Sequence, residues 1–280
     1  MSRILPGALA LCILLLFLTW ANDAPDNLPE IAEDWEAQAF KLPFEAPPFG
    51  NDGRGRPLID YARQGASIVV WPAVMAGVIV AFFAMLGGVL RAVGWRWMDG
   101  AVQAFGEVVG SLPRMVVVLI MALMMDRDHV SLMPIAMAWA LMSAPGAMDE
   151  AAAVAERLGG SRFVEALRAH GFSASRIYVH HVVLLNLRPV LLRQAGEVMM
   201  QVVFLEIALS YLALKDDYPA LTHPDSDKSW AELLIIGYRS VVFDTPDKPM
   251  PGRHALDLGL GLVALVAIMS LCMTRAGRAR

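Results

Sequence analysis

The chain has 280 residues, 57% of them hydrophobic and only 18% charged, and its mean hydropathy is +0.52. Soluble domains carry about a quarter charged residues, so this composition excludes an ordinary water-soluble fold. A net charge of −4 without a basic stripe excludes a nucleic-acid-binding surface, and two cysteines inside apolar runs near opposite ends, Cys12 and Cys272, exclude a disulfide framework or a cysteine metal site.

The apolar residues are gathered into long runs, the pattern that lipid demands. About 20 apolar residues cross roughly 30 Å of hydrocarbon, and a helix satisfies its own backbone groups where no water is present. Six such runs occur, at about 4–20, 66–90, 101–125, 130–147, 189–213 and 254–273. They predict an all-α, polytopic membrane protein with six transmembrane helices and neither an internal repeat nor a low-complexity tract.

In chain order, residues 1–21 form an N-terminal anchor helix. Its apolar run is longer than a cleaved signal core and no A-x-A site follows it. Residues 22–65 form an outer segment rich in acids, with Asp23, Asp26, Glu30, Glu33, Asp34 and Glu36 close together; a solvated linker explains it, and a basic partner could also dock there. The core of the predicted bundle occupies 66–213. Within its third run, Glu107 and Arg114 stand seven residues apart. On a continuous helix that spacing puts them on one face, roughly 10 Å apart along the axis. Ionisable groups inside a span are functional candidates by default, so Glu107, Pro113 and Arg114 are assigned either to a translocation path or inter-subunit contact or to a structural ion pair.

The segment 148–188 has a helical grammar of its own. Asp149 and Glu150 suit the start of a helical run from Ala151 to Leu158, which Gly159-Gly160 stops. Ser161 suits the N-cap of a second short helix, Arg162 to His170, and Gly171 its stop. Such a capped, partly apolar helix can dock a soluble partner or simply pack beneath a bundle. The pair His180-His181 points about 100° apart on a helix, which suits a structural or interface role better than metal binding. In the run 189–213, Glu197 and Glu206 are nine residues apart and so face opposite sides; Glu197 receives no role. The outer loop 214–253 contains Ser229-Trp230 followed by an apolar stretch, fitting a short helix at the interface with Trp230 at headgroup level, or a loop packed over the spans. Residues 254–280 form the last span and an Arg-rich tail.

With an even number of spans both termini share a side. Placing them inside gives the inner segments eleven Lys and Arg against five acids, and the outer ones ten against eighteen, in the positive-inside sense.

Phe163-Val164-Glu165-Ala166-Leu167, with Gly171 six residues after the glutamate, resembles the EAA-to-Gly motif of binding-protein-dependent ABC importer permeases. The resemblance runs on in chain order. Phe49 to Arg56 is similar to the FGTD-x-x-GRD stretch of the oligopeptide, dipeptide and nickel branch, and Gly65-Ala66 to its GAR/GAK element, with Ser67 for the basic residue. Trp97, Asp99, Glu107 and Pro113 follow its W-x-D…D-x-x-x-x-x-P pattern, with Glu for the second Asp. Leu205 to Leu214 resembles LLEAxLSFLGLG, and Ser229-Trp230 resembles SWG, with Ala231 for Gly. Arg176 to Val183 resembles the continuation of the coupling loop; Leu184 replaces one expected proline, Pro189 matches another, and the family's usual C-terminal ending is replaced by the short Arg tail. The resemblance covers roughly residues 45–240.

It implies an ABC type I importer permease in a bacterial inner membrane, with both termini cytoplasmic and a coupling helix on which Phe163, Glu165, Ala166, Leu167 and Gly171 engage the ATPase. It also puts Glu206 at the path or the inter-subunit contact. The implied partners are a second homologous permease, two ATPase subunits, a periplasmic substrate-binding protein and membrane lipid. No G-x-x-x-x-G-K-[ST] loop occurs in the sequence, so this chain binds no nucleotide cofactor, and ATP and Mg belong to the partner subunits. The implied cargo is a short peptide or peptide-like solute; a nickel or nickel-chelate importer, or a degenerate scaffold subunit, is the alternative. An intramembrane metalloprotease lacks its H-E-x-x-H motif here, and a channel or ion-driven carrier acting alone lacks its inverted repeats.

Overall fold

The computed structural model describes residues 5–25, 28–29, 31, 33–93, 96–124, 131–158, 161–174, 176–213, 229–242 and 252–278. Among them the chain is all-helical, without a β-strand; Asn51 and Pro57 make one isolated bridge. The expected segments 126–129 and 214–228, the Gly159-Gly160 stop and the acids Asp26 and Glu30 lie outside the described residues.

The helices are α1 (Leu5–Asn22), α2 (Trp35–Gln38), α3 (Leu58–Val93), α4 (Arg96–Gly110), α5 (Arg114–Met124), α6 (Leu132–Arg157), α7 (Ser161–Ala169), α8 (Arg188–Ala213), α9 (Trp230–Val242) and α10 (Arg253–Arg278), with a π-helical stretch, Arg176–Leu187, running directly into α8. Helix α3 is the centre of the bundle. It packs against α6 and α8, while α10 covers the other side of α8 and α1 lies against α10 and α3. The core is built largely of small residues, including Ala62, Ala66, Ala76, Ala84, Ala136, Ala140 and Ala151. Small side chains let helix backbones approach closely where lipid supplies no hydrophobic drive between helices. At Gly87 the backbones of α3 and α6 come close: a Cβ there would lie 2.8 Å from the backbone of Met148.

Helices α1, α3 and α10 are long and apolar enough to cross a membrane, and the pair α4–α5 adds a fourth crossing if it counts as one span. The chain is therefore a membrane protein, and the expectation of six spans is met in part. Helices α6 and α8, with 26 residues each, are about 39 Å long. Both are long enough to span, but charged and small residues dilute their apolarity.

Two expectations are corrected. The run 101–125 is not one helix: α4 and α5 meet at a 73° bend. The physical cause is Pro113, which has no N–H to give to the preceding turn and disfavours helical geometry at the residue before it. Ser111 and Leu112 close the end of α4 by bonding to Glu107 and Val109 carbonyls at 3.1 and 3.2 Å, and the Pro113 carbonyl starts α5 by accepting from Val116 at 2.9 Å. The second correction concerns 148–158. Asp149 and Glu150 do not open a new helix but lie inside α6, which runs unbroken to Arg157. Neither proline nor glycine stands between Gly146 and Leu158, and Glu150 is held mid-helix by Arg193 and Gln194 of α8.

Candidate functional site

Helix α7 has nine residues, too short to persist alone in water, so its ends and its underside must hold it. The C-terminal end is built as a Schellman motif. Gly171 takes φ +80°, the Gly171 N–H donates to the Arg168 carbonyl at 2.8 Å, and the Phe172 N–H donates to the Leu167 carbonyl at 3.2 Å. That pattern satisfies carbonyls the helix would otherwise leave free and favours glycine at the left-handed position. A Cβ on Gly171 would meet nothing within 4 Å, so the requirement at this position is conformational and not steric. On the underside Val164 is buried and Phe163 and Leu167 are half-buried against the bundle core. Glu165, Ala166 and Arg168 face outward. The Arg168 guanidinium donates to the Tyr178 hydroxyl at 3.1 Å, tying α7 to the π-helical stretch.

The five residues assigned to coupling therefore divide. Glu165 and Ala166 form an open face, Phe163 and Leu167 moor the helix, and Gly171 shapes its end. Nearby ion pairs hold the platform: Arg91 of α3 lies 3.4 Å from Glu156 of α6, and Arg193 of α8 pairs with Glu150 of α6. These pairs join residues 43 to 65 positions apart, and only spatial proximity makes them visible.

The bend between α4 and α5 changes the geometry of Glu107, Pro113 and Arg114. All three are exposed on this chain. Glu107 and Arg114 lie on different helices at a 73° angle, so the one-face argument from seven-residue spacing does not apply to them. Glu206 is placed differently. It is buried inside the chain, 4% exposed; the Ser210 hydroxyl donates to its Oε1 at 3.0 Å, and Ser229 is hydrogen-bonded to the same carboxylate. Glu197 points the other way and is exposed, as their nine-residue spacing requires.

Around Glu206 the chain gathers segments far apart in sequence. Trp230, the first residue of α9, is fully buried within the chain. Its indole N–H donates to the Ala62 carbonyl of α3 at 2.9 Å, and its ring lies 5.3 Å from that of Phe17 in α1. Gly65 faces it so closely that a Cβ there would stand 2.2 Å from Trp230 Cδ1. One turn earlier, Tyr61 donates to buried Asp52 at 2.7 Å, and Asp52 also accepts the backbone N–H groups of Arg54 and Arg56 at 2.8 and 2.7 Å. His254, in the first turn of α10, contacts the Asn51 carbonyl at 3.0 Å. Tyr61 and His254 are absent from the site residues that the sequence suggests, and their signal is only indirect, as neighbours of Phe49–Arg56 and Gly65-Ala66.

His180 and His181 stack edge to face with centroids 5.2 Å apart, and His181 also packs on Phe172. Among the described residues no three metal-binding side chains converge. Comparison with protein-family models gives no match to this chain, and comparison with curated proteins gives none either.

Proposed function

We propose that this chain is one permease subunit of an ATP-driven importer, with six spans, both termini in the cytoplasm and α7 as its coupling helix. The observation that carries the reading is α7: a short helix moored by Phe163, Val164 and Leu167, ended by Gly171 at positive φ, with Glu165 and Ala166 left open. A rigid, partly exposed helix end of this kind can transmit a push from a soluble subunit into the spans to which it is tied.

A second line of support is the meeting of Phe49–Arg56, Gly65, Glu206 and Ser229-Trp230 in one junction. These separated segments carried the resemblance in the sequence, and a shared structural task is a physical reason for them to occur together. The six-span reading is supported by Glu206, whose polar end is turned into protein. A 26-residue helix with an inward carboxylate avoids placing it in hydrocarbon.

In this reading a second homologous permease, two ATPase subunits carrying ATP and Mg, and a periplasmic substrate-binding protein complete the importer in a bacterial inner membrane. The cargo is a short peptide or peptide-like solute. ATP-driven closure of the ATPase pair displaces α7, and the bundle alternates between inward- and outward-facing states of different affinity for the cargo. The exposed bend carrying Glu107, Pro113 and Arg114 lies at the path or the contact with the second permease, because charged groups at membrane depth face protein or water.

Purification of the intact complex tests the proposal. Stoichiometric ATPase subunits should accompany the wild-type chain, and peptides should stimulate ATP hydrolysis in liposomes. A complex that transports normally with no ATPase present would end it.

A further inference from the structure

Helix α1 packs on α10, and α10 on α8, at the end of the bundle that carries the chain's first and last described helical turns. Gly7 of α1 lies against Ala276 of α10, and Gly277 of α10 against Pro189 of α8. Small residues at this meeting leave a groove of about 660 Å³, open on one side, lined by Gly7, Leu11 and Leu14 of α1, Leu192 of α8 and Met269 and Met273 of α10. From Gly7 to Leu14 the groove runs about 10 Å along the helix axis. One charged residue lines it, Arg188, the first residue of α8.

Three observations choose the occupant. The groove opens beside the outer side of α1, where Leu5, Leu9, Leu11, Leu15 and Leu16 are exposed with no charge among them; that face of a spanning helix borders lipid. Apart from Arg188 the lining side chains are apolar or small, which suits acyl chains better than a hydrated solute. Arg188 and, in the last turns of α10, Arg275 are exposed at this same end, and among the described residues neither has a carboxylate partner. Positive charge at the end of an apolar groove between spans complements an anionic lipid headgroup.

We propose that this groove is a binding site for one anionic phospholipid, with its acyl chains between α1, α8 and α10 and its phosphate on Arg188. The site depends only on the chain's residence in a membrane, so it stands or falls separately from the importer reading.

The test is native mass spectrometry of the full-length chain, with thermal unfolding in nanodiscs of dioleoyl-phosphatidylglycerol or dioleoyl-phosphatidylcholine. The wild type should retain one phosphatidylglycerol and unfold at a higher temperature in that lipid than in phosphatidylcholine. Arg188→Gln should lower retention at least ten-fold and abolish the lipid-dependent difference, while Arg188→Lys keeps part of both. Leu192→Trp, which fills the groove and leaves the charge, should also lower retention. Each variant should match the wild type in phosphatidylcholine, which separates lost binding from lost folding. Equal retention by Arg188→Gln would overturn the proposal. So would equal stabilisation by phosphatidylcholine or by inorganic phosphate, or a chain dimer that forms without phosphatidylglycerol and covers the groove.

Discussion

The junction around Trp230 and the short helix α7 both contain residues that drew attention in the sequence, yet they are built in opposite ways. At the junction the notable groups turn into the chain: Trp230 is fully buried, Gly65 has no room for a side chain, and buried Glu206 accepts from Ser210. On α7 the glutamate and its neighbouring alanine turn their side chains outward. Buried groups of the first kind fix where α9 sits against α3 and α8. Exposed groups on a rigidly capped helix are free to meet another molecule. A shared signature in sequence thus separates, in space, into residues that hold the bundle and residues that face outward from it.

Substitutions should separate the two regions by their effect on stability. The largest loss is expected for Trp230→Ala, which removes a fully buried aromatic and leaves the Ala62 carbonyl without its indole donor; truncations of this type cost about 3–5 kcal/mol, read as a lower unfolding temperature in lipid nanodiscs. Gly65→Ala should follow. Its Cβ falls within 2.8 Å of both Trp230 ring and backbone atoms, and forced overpacking costs about 1–3 kcal/mol. If Gly65→Ala proves neutral, the closeness of α3 and α9 is not what seats Trp230.

On α7, Gly171→Ala meets no steric obstacle, so only the left-handed backbone opposes it, at about 1–2 kcal/mol. Hydrogen exchange should show that loss as faster opening of α7 alone. Glu165→Lys should change stability least, within about 0.5 kcal/mol as for other surface sites, while ATPase subunits are lost from the purified complex or ATP hydrolysis is uncoupled from transport. Normal coupling in that variant would remove Glu165 from the proposed contact, and a stability loss as large as that at Gly65 would erase the contrast between the two regions.

Much of the architecture was legible because its signals are local. The apolar runs that became α1, α3 and α10, the short helix near Ser161 and its stop at Gly171, and the opposite facing of Glu197 and Glu206 all follow from composition, glycine conformation or helical period. The errors arose where a local signal competed with another. Pro113 lies inside an apolar run that predicts one span, although a proline ends a helix as readily as it sits in one. Asp149 and Glu150 suit a helix start because acids favour that place, whereas Arg193 on α8 lets Glu150 stand mid-helix. The burial of Trp230 has no local signal either, because a glycine 165 positions earlier makes the room for it.

By itself, then, the sequence determined that this chain is helical, lives in a membrane and carries a short capped helix between its spans, since hydrophobic run length and backbone preference are properties of neighbouring residues. Only the tertiary structure decided that α4 and α5 meet at 73°, that Glu206 turns inward, that Trp230 is buried and that a groove ends at Arg188. Those outcomes depend on which distant backbone comes close enough to accept a hydrogen bond or to leave a gap, and contacts of that range leave no period along the chain.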